Sequence, residues 1–548
     1  MTGPDYIKRY QALESKRADW DSFWEDLGRY VQPRKSEINT VTSYGPDSSS
    51  TAFLYDSTAA QSNMTLAMGQ MSLVSPSDET WFELKPPRSL EEDDDAISYF
   101  REVSTVLREK IAESNFYEEI HEMYLMRGGF GTASLFSAND VDGSLYFRSH
   151  DIGTYVICED AKGRVDTFGR RYPLTASQAV GEFGFERLPE KIQNAANDPK
   201  KCDDPYEFIH FVQKRKEIRP GASANERMPW ESVHIAYDDK TIVRESGYES
   251  FPYHVTRYLR WSDKTTDPYG WCPGWIALPD IRQVNLLQKW MDVLAEVSAF
   301  PRTIAPASLE GEIDLRGAGV TYYDPVVDRA KPEEWATGGR YDVGKDRIEV
   351  RQAAIEEAYH VDLFKMFAKL DKQAQMSVRE VVERSSEKLI QFSPTFHRMV
   401  SELFNPMIRR IVQLQYEVGS FEHIAVPDSI KVITQEGVTI FDPAIVYTSK
   451  IAMALKSLEN SSAMQTMEAV MPLSQVDPGI LDALNLQKMV TGFARNTGLP
   501  EEWLRSEAEV KAIQDRRQEL MEAQQEAEIQ NQQAQAQAQA QAQGQPQQ

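Results

Sequence analysis

Three long segments between residues 275 and 419 carry apolar residues at helical spacing, and they constrain the fold more than any other feature of the chain. The first is predicted to begin at Pro279, since proline is acceptable at the first helical position, and to end before Phe300. The second covers residues 351–382 and the third residues 395–418, where Pro406 predicts a kink. The apolar positions of the first segment are Ile281, Val284, Leu287, Trp290, Met291, Leu294 and Val297.

Helices of this length need other surfaces to pack against. At a rise of about 1.5 Å per residue, the first segment spans roughly 30 Å and the second roughly 45 Å. Two arrangements would cover their apolar faces: an ordinary helical bundle inside one chain, or packing completed by neighbouring subunits. The periodicity alone leaves both open.

The residues before 275 predict a mixture of helices and antiparallel strands. Helices are expected over residues 5–31, from Asp56 or Ser57, after the acidic run Glu91–Asp95, and from Phe116. Asp-Gly and Lys-Gly pairs mark turns between the strands, which are predicted to form hairpins of an antiparallel sheet. The strand patterns lie at 81–84, 134–136, 145–147, 155–157, 165–168, 207–217, 232–237 and 240–258. The fold class is therefore α+β with a helical centre.

The remaining segments are less regular. Residues 302–348 are rich in Gly, Pro and Asp and predict a small α/β insertion between the first two long helices, while residues 383–394 predict a loop. Beyond Val426 a short β-like stretch precedes helices expected over 443–470, 480–493 and 501–526. The Gln/Ala repeat at 532–548 is of low complexity, so no fixed fold is predicted for it.

The charge balance argues against a surface that grips nucleic acid. The chain has a net charge of −24, whereas neutralising phosphates requires clustered Lys and Arg. Its three cysteines form no CxxC pair and suit a reducing compartment. The N-terminal residues lack the apolar core of a secretory signal, and no apolar run is long enough to predict a membrane span.

Several motifs of catalytic or cofactor-binding sites are present only in part. Gly339, Gly344 and Lys345 match a phosphate-binding P-loop, but Asp346 replaces the Ser or Thr that binds Mg²⁺, and no apolar strand precedes the motif; a surface turn is the better interpretation. His121-Glu122 lacks the second histidine of a zinc protease, because Leu occupies position 125.

The other candidate sites are no stronger. The eight histidines show no pair at metal-ligand spacing, with His360 and Asp362 expected on different faces of a helix, and the acidic run at 91–95 is interpreted as a helix start and not as a metal site. There is no GxSxG motif, and the glycines at 129 and 131 do not continue into a dinucleotide fingerprint. The residues therefore predict no catalysis, no metal and no cofactor.

A set of short stretches occurs in a characteristic order: Leu54–Ala60, Trp81–Leu84, Phe130–Phe136, Asp151–Tyr155, Gly163–Arg171, Ala277–Asn285, Val381–Arg384 and Leu403–Pro406. Together, over residues 5–505, they resemble the head-to-tail connector (portal) proteins of short-tailed, podovirus-type bacteriophages. The resemblance implies a portal-type architecture with a mixed wing domain, long stem helices, a small α/β clip and a helical C-terminal crown. It assigns the wing to 1–275 with a return at 395–442, the stem to 276–300 and 351–382, the clip to 301–350, a channel loop to 383–394, the crown to 443–526 and a disordered tail to 527–548.

The resemblance also implies a ring, usually a dodecamer, at one capsid vertex of the virion. Double-stranded DNA would pass through it during packaging and ejection, and an acidic lining would repel the duplex within a Debye length of about 8 Å, so that DNA slides. The implied partners are further copies of the chain, terminase, capsid and scaffold proteins and tail adaptor proteins, with no membrane and with assembly in the host cytoplasm.

The predicted site is the DNA-channel loop. Its residues are Arg384, Ser385, Ser386, Glu387, Lys388, Leu389, Ile390 and Gln391. Lys388 is the only Lys or Arg between positions 384 and 398, and we expect it to reach the channel and contact phosphate transiently.

Two alternatives remain open from the sequence. Another phage structural protein, such as a tail or minor capsid component, would share the acidity but would not form a closed ring around a duplex-sized hole. A nucleotide-dependent packaging enzyme would need the partial P-loop, and its ATP binding would be abolished by Lys345→Ala.

Overall fold

A computed structural model describes most of the chain up to residue 453. The described residues are 2–33, 38, 53–90, 93–218, 223–263, 267–299, 303, 304, 310, 324, 326, 333, 334, 341–370, 390–434, 437–440, 442–453, 455, 510, 513 and 516. The chain divides into two compact units, Met1–Ala452 and Met453–Gln548, and every element below belongs to the first. Most of the predicted clip, crown and Gln/Ala tail lies outside the described residues.

Four N-terminal helices occur where the sequence predicts them. Thr2 and Asp5 form a capping box at the start of the first. The carboxylate of Asp93 accepts hydrogen bonds from the backbone N–H groups of Asp95 and Ala96, so the acidic run does cap a helix. The fourth helix ends at Gly131, whose φ of +83° favours glycine. The helices are α1 Gly3–Val31, α2 Thr58–Val74, α3 Asp94–Glu113 and α4 Phe116–Phe130.

The strands between α4 and residue 271 pair antiparallel throughout, but they form two larger sheets where one was predicted. The strands up to residue 271 are β1 Phe82–Lys85, β2 Thr132–Asn139, β3 Leu145–His150, β4 Tyr155–Glu159, β5 Val165–Thr175, β6 Pro205–Lys214, β7 Trp230–Ala236, β8 Thr241–Tyr248, β9 Tyr253–Arg257, β10 Leu259–Arg260 and β11 Gly270–Trp271. The order is β3-β2-β9 in the three-stranded sheet and β4-β5-β6-β7-β8 in the five-stranded sheet. Two sheets arise because β9 returns to pair with β2 and does not extend the β4–β8 meander.

Helices cover the five-stranded sheet. The start of α1 packs Tyr6, Ile7 and Tyr10 against apolar residues of β4, β6 and β7. The helices α5 Ala176–Phe183 and α6 Glu190–Asn197 form a second cluster with Phe208 and Val243, and a short helix α7 Ala224–Arg227 precedes β7. Burial of these side chains supplies the main stabilisation of the mixed α+β region.

The first long helix, α8 Pro273–Ala299, begins earlier than predicted, with Pro279 inside it. Pro279 lacks only the N–H that would bond to the carbonyl of residue 275. Ala277, Leu278 and Ile281 around it are buried, and their packing offsets the lost hydrogen bond.

The second long segment is two helices and not one rod. Helix α9 Tyr341–Ala358 starts ten residues before the predicted Arg351. His360 has a φ of +54°, so the helix ends there, and His360 and Asp362 do not share one helix as expected. Helix α10 Val361–Leu370 then packs Phe364 against α2 at Gly69, where a Cβ atom would lie 2.1 Å from the Phe364 ring. Residues 371–382 of the predicted segment lie outside the described residues.

In the C-terminal part of this unit, two of the predicted boundaries differ from the structure. Residues 390–399 are helical, so the loop predicted for 383–394 does not extend to 394. A π-helical segment Val400–Phe404 precedes α11 Asn405–Val418, and the irregularity predicted at Pro406 is this change of hydrogen-bond pattern. The remaining strands are β12 Thr303–Ile304, β13 Glu333–Glu334, β14 Lys431–Thr434, β15 Gly437–Ile440 and β16 Ala444–Tyr447. The predicted helix from Pro443 is wrong at its start, because residues 444–447 form strand β16, which pairs with β1.

Candidate channel and assembly site

Helices α8 and α9 pack against each other along one face of α8. Ile281, Val284 and Met291 on that face are buried. Gly344 of α9 allows close approach, since a Cβ atom there would lie 2.3 Å from the Met291 sulfur. Arg351 forms an ion pair with Asp280 across the helix pair. Helix α8 and the first helix of the second predicted stem segment, α9, are therefore neighbours, whereas α10 packs on α2.

The described residues of the partial P-loop, 341–346, lie in α9. Residues 341–345 form the first turns of α9, where a helix replaces the predicted surface turn. The Lys345 ammonium lies 3.6 Å from the Glu349 carboxylate, one turn along the same helix. In a P-loop the glycine before the lysine lies in the loop that holds the phosphates, whereas Gly344 lies inside α9 and is packed against Met291.

The beginning of α8 is fixed to the N-terminal helices. Arg282 pairs with Asp26 of α1 at 2.7 Å. The side chain of Asn285 accepts a hydrogen bond from the backbone N–H of Tyr55 at 2.7 Å and donates one to the carbonyl of Phe53 at 2.8 Å. These bonds hold the chain before α2 against the helix.

A second apolar face of α8 lies on the side opposite α9. At about 100° per residue, Leu286, Trp290 and Val293 lie roughly 180° around the helix from Ile281 and Val284. These three side chains are 42%, 58% and 51% exposed. The sequence assigned Trp290 and Met291 to one apolar stripe, but the structure buries Met291 and leaves Trp290 in solvent. We call Leu286, Trp290 and Val293 the outer stripe of α8.

The structure describes two of the eight predicted channel-loop residues. Ile390 and Gln391 lie at the start of the described helical run, and Ile390 is 62% exposed. Phe392 follows them and packs edge-on against Phe364 of α10, with ring centroids 5.6 Å apart. Arg384 to Leu389, including Lys388, lie outside the described residues, so their contact with DNA stays a prediction.

A buried charge network that the sequence did not predict joins this region to the sheets. Arg257, at the end of β9, pairs with Glu159 of β4 and, at 2.7 Å, with Glu402 of the π-helical segment. Arg260 approaches Glu159 at 2.7 Å, and Arg398 approaches Glu402 at 2.9 Å. The one hint in the sequence is that Glu159 and Arg257 are charged residues within apolar strand patterns. The spacing of residues along the chain does not show which charged residues pair with each other.

The comparison with known proteins decides the family. The sequence matches bacteriophage head to tail connecting proteins over residues 4–504. The chain belongs to this family. It is 27% identical over 531 residues to the portal protein of Salmonella phage epsilon15, and 27% identical over 539 residues to the probable portal protein of Bordetella phage BPP-1. Each alignment covers 95% of this chain and 92% of the relative.

Membership of the connector family confirms the resemblance, and the phage portal function follows from it. The α+β class is confirmed by the elements above. Because the family and both relatives are head-to-tail connectors or portal proteins, a tail component and a packaging enzyme are not favoured. Portal proteins are structural proteins of the virion. No helix in the described part of the chain is long and apolar enough to cross a membrane.

Proposed function

We propose that copies of this chain assemble into a closed ring, most simply a dodecamer, whose channel conducts double-stranded DNA at one capsid vertex during packaging and ejection. The observation that carries the proposal is the outer stripe of α8. Its side chains face solvent while the opposite face of the same helix is packed on α9. A helix that is apolar on two faces needs two partners, and the first is supplied by its own chain.

The outer stripe offers enough apolar surface to matter energetically. Fully burying a large apolar side chain stabilises an assembly by roughly 1.5–3 kcal/mol, and such clusters mark interaction sites on soluble proteins. The stripe lies along one helix, and contact with a different surface of the next copy is a head-to-tail interface. A ring forms when the rotation between successive copies closes.

The net charge of −24 supports a channel through which DNA slides without being held. The loop residues 384–391, including Lys388, would then contact the duplex backbone only transiently. We place the protein at the capsid vertex after assembly in the host cytoplasm, with capsid and scaffold proteins around it and no membrane. Terminase would dock during packaging and tail adaptor proteins afterwards.

The chain itself would carry no catalytic activity, and packaging would be driven by the terminase motor. Two observations on the described residues support this. Lys345 lies within α9 and forms an ion pair with Glu349 one turn along the same helix. Burial raises the pKa of the Cys272 thiol to about 12, which keeps it protonated and unreactive.

Substituting the outer stripe tests the ring. Val293→Asp is expected to replace rings by monomers or small oligomers, with at least about a tenfold rise in the concentration needed for assembly, because a carboxylate would be desolvated in the interface. The measurement is mass in solution over a concentration series, with negative-stain microscopy of the same samples.

Val141→Asp is the matched control, since Val141 is fully exposed in the β2–β3 turn, and it should form rings like the natural chain. Far-UV circular dichroism should show equal helix content in both variants. Rings of unchanged size and concentration dependence in Val293→Asp would remove the outer stripe from the interface.

The loop proposal has its own test. Lys388→Glu is expected to lower the amount of DNA packaged or retained severalfold while rings still form, because the reversed charge repels phosphate. Nuclease-protected DNA per particle is the readout, and Lys200→Glu, at an exposed lysine on the wing, is the control. Particles of Lys388→Glu with a full complement of retained DNA would show that the lysine has no role in the channel.

A further inference from the structure

A cavity of about 820 Å³ is lined by residues of both sheets and of α5. Six of its lining residues are arginines or histidines: Arg148, His150, Arg170, His210, His234 and Arg244. The histidines come from strands far apart in the sequence, so their spacing gave no sign that the fold would bring them to one cavity. Its volume falls in the range of small-molecule sites.

Four of these residues form a row across the five-stranded sheet. Arg170 of β5 is paired in register with His210 of β6, His210 with His234 of β7, and His234 with Arg244 of β8. The two imidazole rings stack at 4.0 Å with an interplanar angle of 6°. Since side chains directly opposite on neighbouring strands lie on one face, the row directs four nitrogen-bearing groups to the same side of the sheet.

Positive charge in the cavity is incompletely balanced. Arg244 pairs with Glu182 of α5 at 3.1 Å. No carboxylate among the described residues lies within ion-pair distance of Arg148 or Arg170, and Arg170 is placed instead over the Tyr172 ring at 4.9 Å. Three guanidinium groups and one carboxylate, Glu182, line the cavity, while Glu119 and Asp151 act on Arg148 from outside the lining. This excess of positive charge contrasts with the net charge of −24 of the whole chain.

The buried end of the cavity, around His150 and His210, is called its floor. Some hydrogen-bond donors there lack partners. His150 is 3% exposed, and neither ring nitrogen has a well-aligned hydrogen bond within the described part of the chain, although the Ser149 backbone lies close to the ring. The Nε of Arg170 is likewise buried without a partner there. A buried donor without a partner destabilises the fold, and an anion with several oxygens would accept hydrogen bonds from both His150 and Arg170.

The other two histidines of the cavity, His210 and His234, are held in place by hydrogen bonds to hydroxyl groups of the protein. His210 bonds to the Tyr253 hydroxyl at 2.6 Å and to the Ser232 hydroxyl at 2.8 Å. His234 bonds to the Tyr172 hydroxyl at 2.9 Å through Nδ1. Burial first, and then nearby positive charge, hold the pKa of His150, His210 and His234 below the ordinary value, so the floor is uncharged imidazole next to the guanidinium groups.

We propose that this cavity binds a phosphate group, either as inorganic phosphate or on a small molecule such as a nucleoside monophosphate. Guanidinium forks match the geometry of phosphate oxygens and repel metal ions. No cluster of metal-ligand residues is found among the described residues. Duplex DNA is too wide to reach His150 and His210 at the buried floor. The proposal is independent of ring formation.

Isothermal titration of the full chain in phosphate-free buffer tests the site. We expect saturable binding of inorganic phosphate or of adenosine monophosphate, at one site per chain. Arg170→Gln and Arg244→Gln should each weaken it about tenfold or more, because a charge-assisted hydrogen bond is lost. Arg88→Gln, at an exposed arginine outside the cavity, should bind like the natural chain. Equal affinity for both probes would identify the free anion as the ligand, and tighter binding of the nucleotide would assign a contact to its sugar or base.

Arg244 is exposed at the rim, so its variant keeps the test valid if Arg170→Gln does not fold. Circular dichroism and thermal unfolding establish which variants are folded. The proposal is overturned if the natural chain binds neither probe saturably, if folded Arg244→Gln binds as tightly as Arg88→Gln, or if only a duplex oligonucleotide binds.

Discussion

Arg257→Met is expected to lower the free energy of unfolding by about 3–5 kcal/mol, the usual cost of breaking a buried ion pair from one side. The side chains of Arg257 and Glu159 are 3% and 0% exposed, and that of Glu402 is 14% exposed. Without the guanidinium group, the two largely buried carboxylates keep, among the described residues, one arginine each: Arg260 for Glu159 and Arg398 for Glu402. The loss should be seen in urea unfolding followed by tryptophan fluorescence, at one fixed chain concentration because association adds stability.

The matched control is Arg282→Met, which removes an ion pair of the same chemistry at the surface. Arg282 and Asp26 are 50% and 38% exposed, and such pairs contribute about 0–1 kcal/mol. The difference between the two variants measures the effect of burial. If both variants unfold at the same urea concentration, the network around Arg257 does not hold the π-helical segment to the sheets.

Local signals in the sequence predicted much of the fold, because the interactions involved are between near neighbours. Asp93 is a helix cap whatever the rest of the chain does, and glycine turns such as that at Gly143 follow from backbone sterics. The ends of the long helices depend on distant contacts. The break at His360 occurs where Phe364 can pack on α2 at Gly69, and no periodicity within α9 or α10 contains that information.

In the candidate sites, too, the local features could be predicted and those that depend on distant contacts could not. Helical spacing identified the apolar residues of α8, but it could not say which were covered by α9 and which were left as the outer stripe, since both faces repeat with the same period. The phosphate cavity could not be predicted either. Its row of arginines and histidines exists only through the strand register, and residues 170, 210, 234 and 244 share no spacing.

Acidification from pH 7 to pH 5 is expected to lower the free energy of unfolding of the mixed α+β region by several kcal/mol. Burial lowers the pKa of His234 and His254 to about 3, with positive charge of Arg244 and Arg170 acting on the first and of Arg410 on the second. The unfolded chain takes up protons below its ordinary histidine pKa of about 6.5, whereas the folded chain does not, so stability falls as pH falls. Each of these two histidines contributes about 2 kcal/mol of that loss at pH 5, and His150 and His210 act in the same direction.

Urea unfolding at pH 7, 6 and 5 in phosphate-free buffer provides the measurement, since a bound anion would favour protonated histidine. His254, which hydrogen-bonds Ser137 at 2.8 Å, is the residue to change, and His254→Gln should reduce the loss of stability between pH 6 and pH 5 by about 1 kcal/mol. His397→Gln, the same change at an exposed histidine, is the matched control. Hydrogen bonds lower the pKa of five described aspartates, so they titrate below this range and do not account for the loss: Asp5, Asp93, Asp142, Asp160 and Asp428. Equal stability at pH 7 and pH 5 would mean that the buried imidazoles accept protons inside the fold, which the guanidinium groups beside them oppose.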